Sequence, residues 1–147
     1  MSLAERIRQD MTAAMKERNR GRVGALRMLG AALKNGEIEA GRPLTEEEEQ
    51  VILRRQLKQR EESADAFRRA GREGQALSES AEAEIVREYL PAPLSAEELE
   101  QIVEKAMQET GATGIKDMGA VMGRATALAE GRAEGRELAA LVRSRLQ

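Results

Sequence analysis

Histidine and cysteine are both absent from this 147-residue chain, so its reactive side chains are carboxylates, amines, guanidiniums, hydroxyls and one phenol. That removes Ser–His and Cys–His nucleophilic pairs, thiolate or imidazole zinc sites and disulfides. Two carboxylate groups lie on successive helical turns: Glu61, Glu62 and Asp65, and Glu82, Glu84 and Glu88. Such sets bind hard cations or move protons. Here they are interleaved with Arg54, Arg55, Arg60, Arg68 and Arg69. The expected use is therefore i,i+4 ion pairing, worth about 0.2–0.5 kcal/mol per pair. The sequence carries no Gly-Lys-Ser/Thr phosphate loop. It assigns no catalytic residue, no metal and no cofactor.

A second constellation suits binding rather than catalysis: Lys116, Gly119, Gly123, Arg124, Arg132 and Arg136. Gly119 and Gly123 lie four apart on one predicted helix, where each glycine costs about 1 kcal/mol against alanine. Two of them imply a steric need. Either a neighbouring helix packs tightly there, or bare backbone is left for a sugar–phosphate strand to approach. The four cations either neutralise phosphates, giving sequence-independent affinity, or are solvated surface. Lys16, Arg18, Arg20, Arg22, Arg27 and Lys34 form another basic cluster, opposed only by Glu17. It either extends such a surface or pairs, through Arg20 and Arg22, with the acidic middle helices. Tyr89 either stacks on a base or, as expected from Leu90 and Pro91 beside it, packs inward.

The elements that must position these residues are helices. The chain is 41% hydrophobic and 34% charged, with one Phe, one Tyr and no Trp. Ala, Leu, Glu, Arg and Met dominate and favour helix, while the shortage of aromatic and β-branched residues argues against a sandwich or barrel. Capping boxes at Ser2/Glu5, Thr45/Glu48 and Ser95/Glu98 mark helix starts. Apolar stripes follow: Leu3, Ile7, Met11, Ala14 and Met15; Val23, Leu26, Leu29 and Leu33, with Asn35-Gly36 as a stop; Val51, Ile52, Leu57, Ala64 and Phe67 on a long helix over 46–70, ended by Gly71. Leu77, Ala81, Ile85 and Leu90 mark a fourth helix.

Pro91 and Pro93 forbid a continuous helix and place a boundary there. Beyond it come Leu99, Ile102, Val103, Ala106 and Met107, stopped by Gly111; a helix over 114–128 capped by Thr113, with Ile115, Met118, Val121, Met122 and Ala125 inward; and a last helix with Leu138, Leu141, Val142 and Leu146. The expectation is an all-α protein: a four-helix N-terminal domain over 1–90, a proline linker, and a three-helix C-terminal domain over 91–147. The latter, with about 53 residues after the linker, is small enough to be marginal alone.

Net charge is −2 but unevenly spread. Residues 1–44 hold nine basic against five acidic side chains, residues 45–94 eight against twelve, and residues 116–147 six against four. A chain acidic in total can thus present basic faces. The sequence has no long apolar run, and residues 1–20 alternate charged and apolar positions, unlike a signal peptide. A cytoplasmic protein is expected, with neither a membrane nor DNA as partner.

Arg27-Met28-Leu29 to Lys34-Asn35 with Glu37-Ile38-Glu39, Phe67 to Arg72, Tyr89-Leu90-Pro91 with Leu94-Ser95, Asp117 to Gly123, and Gly131 to Gly135 follow one another in this order. Together they resemble the GatB/YqeY family almost end to end. The family usually has Asp where this chain has Glu134, a poorer N-cap, so that either Gly135 caps instead or the helix begins one residue differently. It also carries more basic residues where this chain has Ala127, Leu128, Ala129 and Glu130. The resemblance implies a C-terminal domain similar to the tail of the B subunit of tRNA-dependent amidotransferases, which contacts the outer corner of tRNA. The catalytic domains of those enzymes have no counterpart here. The expected function is non-catalytic binding of tRNA or another structured RNA. A helical adaptor for an amidotransferase or aminoacyl-tRNA synthetase is the alternative; a glutamine-dependent carbon–nitrogen ligase is disfavoured.

Overall fold

The computed structural model describes residues 1–147. It is all-helical, and its internal packing divides it into two compact units, Met1–Leu90 and Pro91–Gln147. The first unit holds α1 (Leu3–Lys16), α2 (Arg20–Ala40), α3 (Glu46–Arg69) and α4 (Glu73–Arg87). The second holds α5 (Ala96–Thr110), a 3-10 turn (Ile115–Asp117), α6 (Met118–Ala129) and α7 (Gly135–Leu146). No helix is long and apolar enough to cross a membrane.

In the first unit α1 packs on α2, α3 on α4, and α2 touches both α3 and α4. The core gathers Ile7, Ala14, Leu26, Leu29, Leu33, Leu53, Val86 and Tyr89. The α1 and α2 stripes point inward except Met15, which is 54% exposed at the end of α1, and three further features of this unit differ from expectation. Asn35-Gly36 does not end α2. The helix runs to Ala40, and Gly41 stops it in the left-handed region (φ 70°). Gly36 lies inside α2 because a Cβ there would overlap Ile52 Cδ1 and come within 3.3 Å of Leu44 Cδ1. Val51 is exposed, and the buried stripe of α3 is instead Glu49, Leu53 and Ala64, at steps of four and eleven. Leu77 and Ala81 are also exposed, and α4 turns Ala76, Ala83 and Val86 inward. Small residues there let α4 pack closely on α3, and they outweigh the larger leucine in setting its face.

Glu49 is the one buried charged residue, 4% exposed. Its Oε2 accepts the Ala4 N–H at 3.1 Å and its Oε1 the Leu3 N–H at 3.4 Å. One carboxylate thus lies in the first turn of α3 and caps the first turn of α1, where both dipoles favour negative charge. Ser2 adds its half of the first capping box by accepting the Glu5 N–H at 3.1 Å. Glu49→Ala leaves these amides without a partner and is expected to cost the first unit about 2–3 kcal/mol. Glu49→Gln, which keeps the shape without the charge, should cost less; urea unfolding of the two variants checks the order.

Helix α1 ends in a Schellman motif. Asn19 N–H donates to Ala14 O at 3.0 Å and Arg18 N–H to Met15 O at 3.1 Å. The left-handed position belongs to Arg18 (φ 59°), where glycine is the usual occupant. Phe67 to Arg72 closes α3 in the same way, this time with Gly71 at φ 75°.

The second unit has its own core of Leu99, Val103, Ala106, Val121, Ala125, Ala129, Leu138, Val142 and Leu146. Ser95 and Glu98 form a complete capping box, and Gly111 ends α5 with φ 67°. Thr113 is not a side-chain cap. The cap runs the other way: Asp117 Oδ2 reaches back to accept the Thr113 and Gly114 N–H groups at 2.9 and 3.2 Å. Those backbone donors hold the Asp117 carboxyl below its usual range. The tight turn they fix leaves Ile115, expected in the core, 52% exposed.

Candidate nucleic-acid interface

The carboxylate groups of the first unit are largely spent on structure. Arg60 pairs with Glu79 and Glu82 at 3.3 and 3.5 Å, and Arg87 with Glu61 at 3.5 Å and with Glu84. Asp65 pairs with Arg68 at 3.3 Å. These pairs join α3 to α4 or sit at i,i+3 spacing, not at the expected i,i+4. In the basic cluster at the start of the chain, Arg22 pairs with Glu88 at 2.7 Å, whereas Arg20 makes no ion pair. Tyr89 is buried, so it offers no stacking surface.

The six residues singled out in the second unit behave in four ways. Gly119 and Gly123 are exposed on α6, and a Cβ at either would meet nothing within 4 Å. Packing of a neighbouring helix therefore does not explain them. Ala120, Thr126 and Ala127 are exposed beside them, so this face carries only small side chains and backbone. Arg124 lies next to it, but its Nε donates to Glu109 on α5, and the pair holds the Glu109 carboxyl below its usual range. Arg132 is structural. Its Nε donates to Ala92 O at 2.8 Å, its carbonyl accepts the Leu94 N–H at 2.9 Å, and its guanidinium lies 3.9 Å from Glu98. Lys116 and Arg136 are exposed and make no ion pair. The 3-10 turn bearing Lys116 packs against both α6 and α7.

The turn between α6 and α7 is sharp. Glu130 (φ 49°) and Gly131 (φ 76°) both have positive φ, and Arg132 N–H donates to Ala129 O at 2.9 Å, a type I′ turn. Glu134 occupies the N-cap position of α7 with no side-chain cap, and Gly135 is the first helical residue rather than the cap. The first-turn amides of α7 thus lie open beside Arg136. The missing side-chain cap is what Glu134 in place of Asp leads one to expect; the latch made by Arg132 is not visible in residue type, because it depends on where the chain before α5 runs.

The family described as Yqey-like protein matches residues 4–146. This chain belongs to the YqeY-like family. A curated relative, "Altered inheritance of mitochondria protein 41, mitochondrial" of Clavispora lusitaniae, is 32% identical over 98 residues, covering 66% of this chain. The chain matches only 57% of that relative's length. In this YqeY-like chain, Asp117 to Gly123 forms the reversed cap and the bare face of α6, while Gly131 to Gly135 forms the I′ turn and the uncapped start of α7.

Proposed function

We propose that the C-terminal unit of this protein binds structured RNA, tRNA above all, through its backbone and without catalysis. The observation that carries this reading is the exposure of Gly119 and Gly123 with nothing of the chain packed on them. A helix that gives up about 1 kcal/mol per glycine gains nothing inside its own unit for it. Such bare backbone lets a sugar–phosphate strand come close. Lys116 and Arg136, exposed and without an ion pair, and the uncapped first turn of α7 are the groups of this unit suited to meet phosphate. The similarity to the amidotransferase B-subunit tail supports the choice of tRNA. With one Phe and one Tyr in the chain, recognition by shape and phosphate fits better than base stacking.

Lys116→Glu together with Arg136→Glu tests the reading. Both side chains are exposed and unpaired, so folding should survive. Filter binding to tRNA at moderate salt is expected to weaken by about tenfold or more, and the salt slope to fall by about two. Unchanged binding by a folded double variant overturns the assignment. Arg132 is left out because its substitution breaks the latch to Ala92.

A further inference from the structure

The outer face of α3 has an unused charge pattern. Glu47, Val51 and Arg55 stand at i, i+4 and i+8, all three exposed, with Val51 40% exposed. Of their charged neighbours, Glu48 is held by Arg42 at 2.7 Å and Arg60 by Glu79, while Glu46, Arg54 and Lys58 make no ion pair. Glu47 and Arg55 make no ion pair. Beside this face an open groove of about 870 Å³ runs between α2 and α3. Met28, Ala32, Gly36, Leu44 and Ile52 supply its apolar lining, and Gly36 lets Ile52 settle into α2.

The pattern is self-complementary in one orientation. Val51 lies midway between Glu47 and Arg55. A two-fold axis through Val51, perpendicular to α3, sets two copies of the helix antiparallel. Glu47 then faces the partner's Arg55, Arg55 faces the partner's Glu47, and the two Val51 side chains meet at the centre. Parallel pairing would instead set like charge against like. An apolar centre flanked by reciprocal opposite charges is one self-complementary pattern that suits an isologous contact. We propose that the α2–α3 face is a self-association surface on which a second copy of this chain docks, α3 antiparallel to α3 about Val51. This goes beyond the RNA reading and uses none of its residues.

Sedimentation equilibrium of the full chain tests it. The wild-type mass should rise with concentration from 16.2 kDa towards that of two chains. Glu47→Arg alone sets Arg against Arg, and Arg55→Glu alone sets Glu against Glu. Each should raise the dissociation constant by about tenfold or more. An equimolar mixture of the two variants restores opposite charges at both contacts and should recover the wild-type mass. Val51→Asp, at an exposed position that folding does not need, places two carboxylates across the axis and should leave a single-chain mass; helix melting by circular dichroism verifies folding. A wild-type chain that stays single at every concentration, a mixture no better than its components, or a Val51→Asp chain that still pairs overturns the proposal.

Discussion

Gly119→Ala with Gly123→Ala should make the second unit more stable and bind RNA less well. Both positions are helical and open, so each methyl removes backbone freedom from the unfolded chain and meets nothing in the folded one. The helix-propensity difference predicts a gain of about 2 kcal/mol for the pair. For a unit this small, that corresponds to a midpoint shift on the order of 10 °C. The same methyls stand on the surface proposed to meet a sugar–phosphate strand. Losing that close approach is expected to weaken tRNA retention by about tenfold, equivalent to roughly 1.4 kcal/mol. The opposed signs make the test sharp. Glycines kept for packing would lower stability when filled, and glycines with no role would raise it while leaving binding unchanged. Thermal unfolding and filter binding on one preparation distinguish the three outcomes.

Removing the phenol of Tyr89 should have the largest destabilising effect in the first unit. The ring is 4% exposed and belongs to the core. Its hydroxyl donates to Asp10 Oδ2 at 2.5 Å, and the Arg6 guanidinium lies 4.9 Å from the ring centroid. The turn that follows α4 is thereby tied to α1 through one side chain. Tyr89→Ala is expected to cost about 3–5 kcal/mol. Tyr89→Phe keeps the ring but leaves Asp10 without its donor, at about 1.5–3 kcal/mol.

The pair also predicts a pH dependence. Burial first, and then the hydrogen bond to Asp10, push the phenol above its ordinary value of 10.0. The folded protein therefore holds this proton more tightly than the unfolded chain. Its contribution is complete below the unfolded value and is lost as pH rises beyond it. Stability of the first unit should fall above about pH 10, and Tyr89→Phe should flatten that fall. A wild-type stability indifferent to alkali up to pH 11 would contradict this account.

The helical architecture was legible because periodicity and caps are local. Ser2, Thr45 and Ser95 each accept a first-turn amide as their spacing requires, and Gly71 and Gly111 stop their helices with positive φ. What failed depended on neighbours distant in sequence. Gly36 looked like a stop because Asn-Gly commonly is one, yet its role is set by Ile52, sixteen residues on. Leu77 lost to Ala76 because α4 lies close against α3. Within the run Glu46 to Glu49 nothing in residue type distinguishes the buried carboxylate from its exposed neighbours; only the arrival of α1 selects Glu49. At the candidate interface the sequence named six residues. The open glycines and the unpaired Lys116 and Arg136 fit a binding face, but Arg132 is a latch and Arg124 is shared with Glu109.

Tyr89 has one more consequence. With no tryptophan and no second tyrosine in the chain, absorbance and emission near 280–300 nm arise almost entirely from this one ring, bonded to a carboxylate and capped by a guanidinium. Intrinsic fluorescence is therefore a built-in reporter for residues 1–90 and blind to melting within 91–147. Recorded alongside the helical signal in a single heating experiment, it resolves whether the two halves of the chain come apart together or in succession, with no label attached.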